Sequence, residues 1–119
     1  MNAAQLRKLR MSLAGATEEI QWDNDRVFKI GGKMFACSGL EDERCYSFKV
    51  EDARFLELTD QEGIVPAPYL ARARWVQIDP HACRLSAKEL TALVQQSYGL
   101  ILGKLSKKKQ RELTGDDHV

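Results

Sequence analysis

The alternation of apolar and polar residues is clearest between positions 27 and 36, where two short strand patterns flank Gly31-Gly32. Two adjacent glycines permit the positive φ angles of a tight two-residue hairpin turn. The residues predicted to face each other across this hairpin are Phe28 with Phe35 and Lys29 with Met34. One face is then aromatic and the other basic, which predicts a sheet with a covered side and an open side.

Three further segments carry the same period-two pattern: Glu18–Trp22, Cys45–Val50 and Arg74–Asp79. Short polar turns at Asp23–Asp25 and Glu41–Arg44 connect the first four strands into a meander. The apolar row predicted across this meander is Ile20, Phe28, Phe35 and Phe48, and the row on the opposite face is Glu19, Lys29, Met34 and Lys49. A slip of one residue would bury a lysine, so the pattern disfavours slippage.

Helical spacing appears in three segments. Leu6, Leu9 and Leu13 form the apolar side of a first helix, and its outer side is basic through Arg7, Lys8 and Arg10. A second helix follows Glu51-Asp52, with Gly63 as its predicted stop. The third has a capping box, Ser86 with Glu89, and an apolar stripe through Leu90, Leu93, Val94, Ile101 and Leu105. Between the last two helices, Ile64–Tyr69 is predicted to be an extended loop stiffened by prolines.

The order helix, four-stranded meander, helix, fifth strand, helix predicts an α+β fold. An antiparallel sheet of about five strands carries its helices on one face, and the other face stays in water. A chain of 119 residues fits one domain, predicted over residues 1–114 with a flexible tail at 115–119.

Composition narrows the functional classes. The net charge is +1, so attraction to a charged partner must come from a local patch. No apolar run reaches the length of a membrane span, and the first residues lack the apolar stretch of a secretory signal. Three cysteines without CxxC spacing indicate a reducing, cytoplasmic setting. Cys37 and Cys45 fall on neighbouring predicted strands, which leaves a redox role open beside the simpler interpretation of small buried side chains.

Catalysis finds little support in the sequence. His81 and His118 are the two histidines, and neither has a cysteine or carboxylate at metal-ligand spacing. Ser38-Gly39 is not a nucleophile elbow, and Gly31-Gly32-Lys33 lacks the spacing and the following helix of a phosphate loop. We therefore expect a protein that is not an enzyme, with no cofactor and no metal.

Several segments in order resemble the MmcQ/YjbR family of small bacterial proteins. They are Val27–Ala36, Ser47–Val50, Pro66–Ala71, a basic residue before Trp75-Val76, Gln96–Tyr98 and Lys104–Lys108. The resemblance implies a frataxin-like (CyaY-like) two-layer sandwich and a possible role in binding DNA. Many members have a proline in place of Ser106. Frataxin-like proteins are also associated with iron on an acidic ridge near the first helix, but the corresponding helix here carries Arg7, Lys8 and Arg10.

Two groups of residues are the candidates for binding DNA. Cations beside an aromatic ring suit phosphates and a stacked base, and a basic helix end suits a phosphate chain. The first group, on and beside the open sheet face, is Lys29, Lys33, Lys49, Tyr69, Arg72, Arg74 and Trp75; the second is Lys104, Lys107, Lys108, Lys109 and Arg111. The sequence predicts contacts mainly to the nucleic-acid backbone, with weak sequence selectivity.

Three alternatives remain open at this point. The basic groups are also typical of solvated surfaces, and Trp75 has a structural explanation if the Pro66–Tyr69 segment covers it. A protein partner or a small ligand on the same face is the competing functional hypothesis.

Overall fold

The computed structural model describes residues 1–21, 25–39, 45–68 and 70–115. These residues form an antiparallel sheet with helices packed on one face, which confirms the predicted α+β class. The helices are α1 (Ala3–Arg10), α2 (Asp52–Thr59), α3 (Ala87–Leu102) and α4 (Lys107–Thr114). The strands are β1 (Thr17–Gln21), β2 (Asp25–Ile30), β3 (Lys33–Gly39), β4 (Tyr46–Lys49), β5 (Ile64–Pro66) and β6 (Trp75–Ile78), and a 3-10 turn covers Ala71–Ala73.

The strand order is β1-β2-β3-β4-β6-β5. After α2 the chain enters β5 at the outer edge and returns as β6 beside β4. The predicted loop at 64–69 therefore contains a sixth strand, β5. Sequence analysis did not predict this strand, because prolines are unusual within strands. Pro66 fits there because a proline at a sheet edge need not donate to a ladder.

The Gly31-Gly32 turn is as predicted, with φ angles of +61° and +81°. Lys29 pairs with Met34, again as predicted, but Phe28 pairs with Ala36. The prediction that Phe28 faces Phe35 is wrong because Phe35 is the extra residue of a β-bulge. Its ring nevertheless lies in the core, with no exposed area.

The pairings of the apolar row predicted across the meander are wrong at both ends, since Phe48 lies opposite Ala36 rather than Phe35 and Ile20 does not lie opposite Phe28. Ile20 pairs with Arg26 and is 60% exposed, whereas Glu18 lies opposite Phe28. β2 begins at Asp25, which sequence analysis placed in the turn, so the register differs by two residues and the faces are preserved. Trp22, the predicted turn at 41–44 and residues 116–119 of the predicted tail lie outside the described residues.

The core lies between the sheet and the helices. Phe28, Phe35 and Phe48 are fully buried, and they pack with Leu6 of α1, Leu58 of α2 and the stripe Leu90, Leu93, Val94 and Ile101 of α3. The predicted capping box of α3 is present, since the Glu89 N–H donates to Ser86 Oγ and the Ser86 N–H donates to Glu89 Oε2, both at 3.1 Å. In the described part of the chain, no helix is long and apolar enough to cross a bilayer.

The basic C-terminal segment is a separate helix. α3 ends at Leu102, and Ser106 begins α4 by accepting a 3.1 Å hydrogen bond from the Lys109 N–H. The connecting Leu105 lies against the hairpin turn, where a Cβ added to Gly31 would come within 2.5 Å of its Cδ1. α4 is thereby held beside the end of the sheet that carries the Gly31-Gly32 turn.

Candidate nucleic-acid interface

Cations from five separate segments gather at the end of the sheet that carries the hairpin turn. In antiparallel strands, the end of β2, the start of β3, the end of β4 and the start of β6 lie at the same end of the sheet. α3 also ends there. We call this surface the basic end; its cations are Lys33, Lys49, Arg72, Arg74, Lys104, Lys107, Lys108, Lys109 and Arg111.

Lys49 is the most enclosed lysine of the basic end. Its Nζ donates to the carbonyl oxygen of Ala73. Partial burial lowers its pKa, and repulsion from Lys104 lowers it further, against an opposing effect of Asp52. Lys49 of β4 and Lys104, just beyond the end of α3, are therefore close enough to repel each other, as expected for one continuous positive patch.

Arg74 is held in place from two sides. Its backbone has a φ of +62°, a left-handed conformation that a non-glycine residue adopts at a cost. The guanidinium stacks over the Phe55 ring at 5.3 Å and its Nε lies 3.2 Å from Asp52 Oδ1. Arg74 is thus partly neutralised, whereas Arg72 in the adjoining 3-10 turn is exposed.

The α4 cations are exposed on a short helix anchored through its apolar side. Leu113 contacts Gly31 and Gly15, while the cations Lys107, Lys108, Lys109 and Arg111 are solvent-accessible. A hollow of about 490 Å³ between α3 and α4 is lined by Lys107 and Arg111. Within the described ranges, none of these four cations takes part in an ion pair.

Lys29 of the predicted open-face group is not available as a free contact. Lys29 forms a close ion pair with Glu19, and its side chain is 18% exposed. Lys29 and Lys49 do share the face opposite the helices, as predicted. Lys29 is already neutralised there, so it does not belong to the basic end.

The expectation that Trp75 stacks on a base is wrong, because Trp75 is 4% exposed. Its backbone exchanges hydrogen bonds with the preceding segment: the Ala67 N–H donates to the Trp75 carbonyl and the Trp75 N–H donates to the Leu70 carbonyl. The alternative of a covered, structural tryptophan therefore holds. Tyr69, the other aromatic candidate, lies outside the described residues.

A family model, YjbR, matches residues 11–100. The chain belongs to the YjbR family. No curated protein matches the chain. Among solved structures, it is similar to a Deinococcus radiodurans protein with a DUF419 domain, at 27% identity and a TM-score of 0.80, covering 94% of this chain and 87% of that one. A Pseudomonas syringae protein shares the fold at 20% identity and a TM-score of 0.69, covering 85% and 99% of the two chains.

The face opposite the helices of this YjbR-family chain carries a cleft with a volume of about 610 Å³. Ala67, Pro68 and Leu70 border one side of the cleft, while the strands β3, β4 and β6 form its floor through Cys37, Ser47 and Gln77. The expectation that this face is exposed to water is therefore wrong in part, since Val27 and Ser47 on this face are buried. The cleft combines apolar walls with thiol, hydroxyl and amide groups.

The Cys37 thiol in this cleft is not set up as a nucleophile. Burial raises the pKa of Cys37 to about 11, and the nearby Asp25 contributes to the rise. Cys45 lines the same cleft, one step diagonally from Cys37, because Cys37 pairs with Ser47. No group of three or more metal-ligating side chains occurs among the residues described.

Sequence analysis missed an arginine cluster on the helix-covered side of the sheet. Glu18 accepts hydrogen bonds from Arg7 Nε at 3.1 Å, Arg10 Nη2 at 2.7 Å and Arg26 Nη1 at 2.7 Å. Partial burial raises the pKa of Glu18, but the hydrogen bonds from Arg26, Arg10 and Arg7 outweigh it and lower the pKa from 4.5 to about 2. One sequence feature could have indicated this cluster: alternation along the first strand places Glu18, an acidic residue, on the predicted apolar face.

Proposed function

We propose that this YjbR-family protein is a non-enzymatic nucleic-acid-binding module that holds the phosphate backbone of DNA against its basic end. The single observation that supports this function is the gathering of cations from five chain segments at one end of the sheet. Lysines and arginines at such a surface bind phosphates and release counterions, which favours binding without strong sequence preference.

The proposed interface joins the second group expected from sequence, now in and beside α4, to part of the first. It is centred on α4, the hairpin turn at Lys33 and the end of β4. Trp75 is buried and Lys29 is paired with Glu19, so base stacking and Lys29 contacts drop out. The remaining contacts are to backbone phosphates, in keeping with weak selectivity.

Charge reversal in α4 tests the proposal. Lys108→Glu and the triple variant Lys107→Glu/Lys108→Glu/Lys109→Glu are titrated with a short duplex at several salt concentrations. We expect the triple variant to bind much more weakly, with the logarithmic salt dependence shallower by about 0.9 for each phosphate that the variant no longer neutralises. NMR shifts in the wild type should concentrate at Lys33, Lys49 and α4.

Lys88→Glu is the matched control, because it makes the same change of charge at the opposite end of α3. A helix of 16 residues separates that position from the basic end by roughly 20 Å. Equal losses of affinity in Lys88→Glu and Lys108→Glu would mean that net charge, rather than this surface, attracts DNA. Unchanged duplex affinity in the triple variant would remove the proposal.

The cleft beside Ala67 and Leu70 supports a second candidate, a small-ligand or peptide-binding module. Its volume of about 610 Å³ lies in the range of small-molecule sites, and its walls are largely apolar. Binding there would depend weakly on salt, in contrast to phosphate contacts. Gln77→Leu would weaken binding of such a ligand and leave duplex affinity unchanged.

A further inference from the structure

The arginine cluster around Glu18 lines a concavity of about 550 Å³ between α1 and the sheet. Arg7 and Arg10 come from α1, and Arg26 comes from β2, so the fold assembles them from separate elements. The side chains of Arg10 and Arg26 are 24% and 16% exposed, which makes them more enclosed than ordinary surface arginines. Both side chains are largely covered, and both line the concavity.

The charges of this cluster do not balance. Three guanidinium groups surround the single carboxylate of Glu18, which leaves an excess of two positive charges. Lys8 also borders the concavity and adds to the excess. Partly buried charges are screened much less by salt than exposed ones, so the excess attracts an anion to this hollow.

The hydrogen bonds do not balance either. Three guanidinium groups carry more N–H donors than two carboxylate oxygens accept. The Nε of Arg10 is buried and has no hydrogen-bond partner among the described residues. A buried donor without an acceptor is unfavourable, and an incoming oxyanion would supply acceptors to the cluster.

We propose that this concavity binds the dianionic phosphate group of a small phosphate monoester, with Arg7, Arg10 and Arg26 as its ligands and Glu18 as the internal competitor. A phosphate monoester carries the two negative charges that the cluster lacks, and guanidinium groups bind phosphate oxygens in bidentate geometry. Met11, which is 74% exposed, borders the same hollow and offers an apolar contact to the organic part of the ligand.

This site is independent of the proposed DNA interface. Arg26 lies at the start of β2 and the hairpin turn follows its end, so the two sites occupy opposite ends of the sheet. The residues tested for DNA binding in α4 do not line this concavity. Charge reversal in α4 is therefore expected to leave binding of the monoester unchanged.

The test is a titration with inorganic phosphate and with adenosine monophosphate at constant ionic strength, with sodium chloride as the salt control. Binding is followed through the Nε–H NMR signals of the arginines. We expect saturable shifts at Arg10 and Arg26, and none from chloride. Shifts that rise linearly without saturation for both phosphates would overturn the proposal.

Variants separate a ligand site from a purely structural network. Arg10→Gln should weaken binding of the monoester by about tenfold or more, because it removes a charge-assisted hydrogen bond. Arg84→Gln, the matched control from the exposed Arg84–Glu62 pair, should have no effect. Glu18→Gln removes the internal competitor and should strengthen binding by several-fold, even if it lowers stability. Weaker binding in folded Glu18→Gln would overturn the proposal, and so would equal effects of Arg10→Gln and Arg84→Gln on affinity.

A short duplex distinguishes a monoester from the phosphodiesters of nucleic acid. A diester carries one charge per phosphate and matches the cluster less well. We expect the duplex to leave the Arg10 and Arg26 signals in place while the monoester shifts them. Shifts of these signals by the duplex, with none from either phosphate, would overturn the proposal.

Discussion

The hydroxyl of Ser97 donates a 2.7 Å hydrogen bond to the backbone carbonyl oxygen of Phe35. Phe35 is the bulge residue of β3, and Ser97 is completely buried on α3. The same Oγ accepts a hydrogen bond from the Lys49 N–H at 3.1 Å. One side chain of α3 thus bonds both strands at the point where the regular ladder between β3 and β4 stops, and it fixes the helix over the basic end.

Ser97→Ala removes one hydroxyl group but should destabilise the protein substantially, because that hydroxyl makes two hydrogen bonds. It leaves a buried carbonyl and a buried N–H without partners, which costs about 1–3 kcal/mol in the free energy of unfolding. Urea unfolding measures it. Ser12→Ala is the control, because the Ser12 hydroxyl bonds the Leu9 carbonyl on the surface and its removal should matter little. Equal effects of the two substitutions would contradict the bridging role.

The two glycines of the hairpin turn provide a matched pair. Gly31→Ala and Gly32→Ala both place a side chain at positive φ, which costs about 1–2 kcal/mol each. A Cβ at Gly31 also meets Leu105 and Leu113, whereas one at Gly32 meets nothing within 4 Å. We expect Gly31→Ala to lower the free energy of unfolding more than Gly32→Ala. Similar reductions would mean that α4 does not rest on the turn.

Trp75 should matter for stability and not for binding. Trp75→Ala is expected to lower the free energy of unfolding by about 3–5 kcal/mol, as for other buried large side chains. Leu56→Ala, at a position 78% exposed, serves as the control and should change little. Trp75→Leu keeps a large apolar side chain at this position but cannot stack on a base, and the folded variant should retain the duplex affinity of the wild type. A large decrease of affinity in folded Trp75→Leu would restore the stacking role.

Glu18 makes stability depend on pH in the acid range. Its pKa is about 2 in the folded protein, below the ordinary 4.5, because the arginines bind its charged form. The stabilisation is therefore fully present above pH 4.5 and is lost as the pH falls towards 2. Urea unfolding between about pH 5 and pH 2 should show a steeper decline of stability in the wild type than in Glu18→Gln.

The control for this pH series is Glu62→Gln. Glu62 pairs with Arg84 at the surface, where both side chains are mostly exposed and the ion pair contributes little. Its unfolding curves should follow those of the wild type at every pH. Parallel pH profiles for the wild type and Glu18→Gln would contradict the account of the arginine cluster.

The parts of the fold predicted correctly are those with local signals. The Gly31-Gly32 turn needs positive φ at two successive residues, and the Ser86–Glu89 capping box satisfies helix N–H groups within four positions. Both are decided by neighbours in sequence. The amphipathic spacing of α1 and α3 likewise predicted their buried sides.

The parts missed depend on contacts between distant segments. Strict alternation could not show the bulge at Phe35, whose carbonyl is satisfied by Ser97 from a helix 62 positions later. The arginine cluster escaped prediction because it assembles residues from several elements. The cations of the basic end were all predicted as candidates, but as two separate groups rather than one surface. The alternation pattern placed Trp75 on the face expected to be open. Its burial accompanies hydrogen bonds to Ala67 and Leu70, which alternation along β6 could not predict.

The two edge strands of the sheet, β1 and β5, differ in length and in the hydrogen-bond donors that they offer. β5 is three residues long and ends on Pro66, which has no N–H to offer, whereas β1 is a five-residue margin with Ile20 exposed. A foreign strand therefore finds fewer donors beside β5 than beside β1. We therefore expect edge-to-edge self-association of this protein to involve β1 rather than β5, and Ile20→Lys to discourage it.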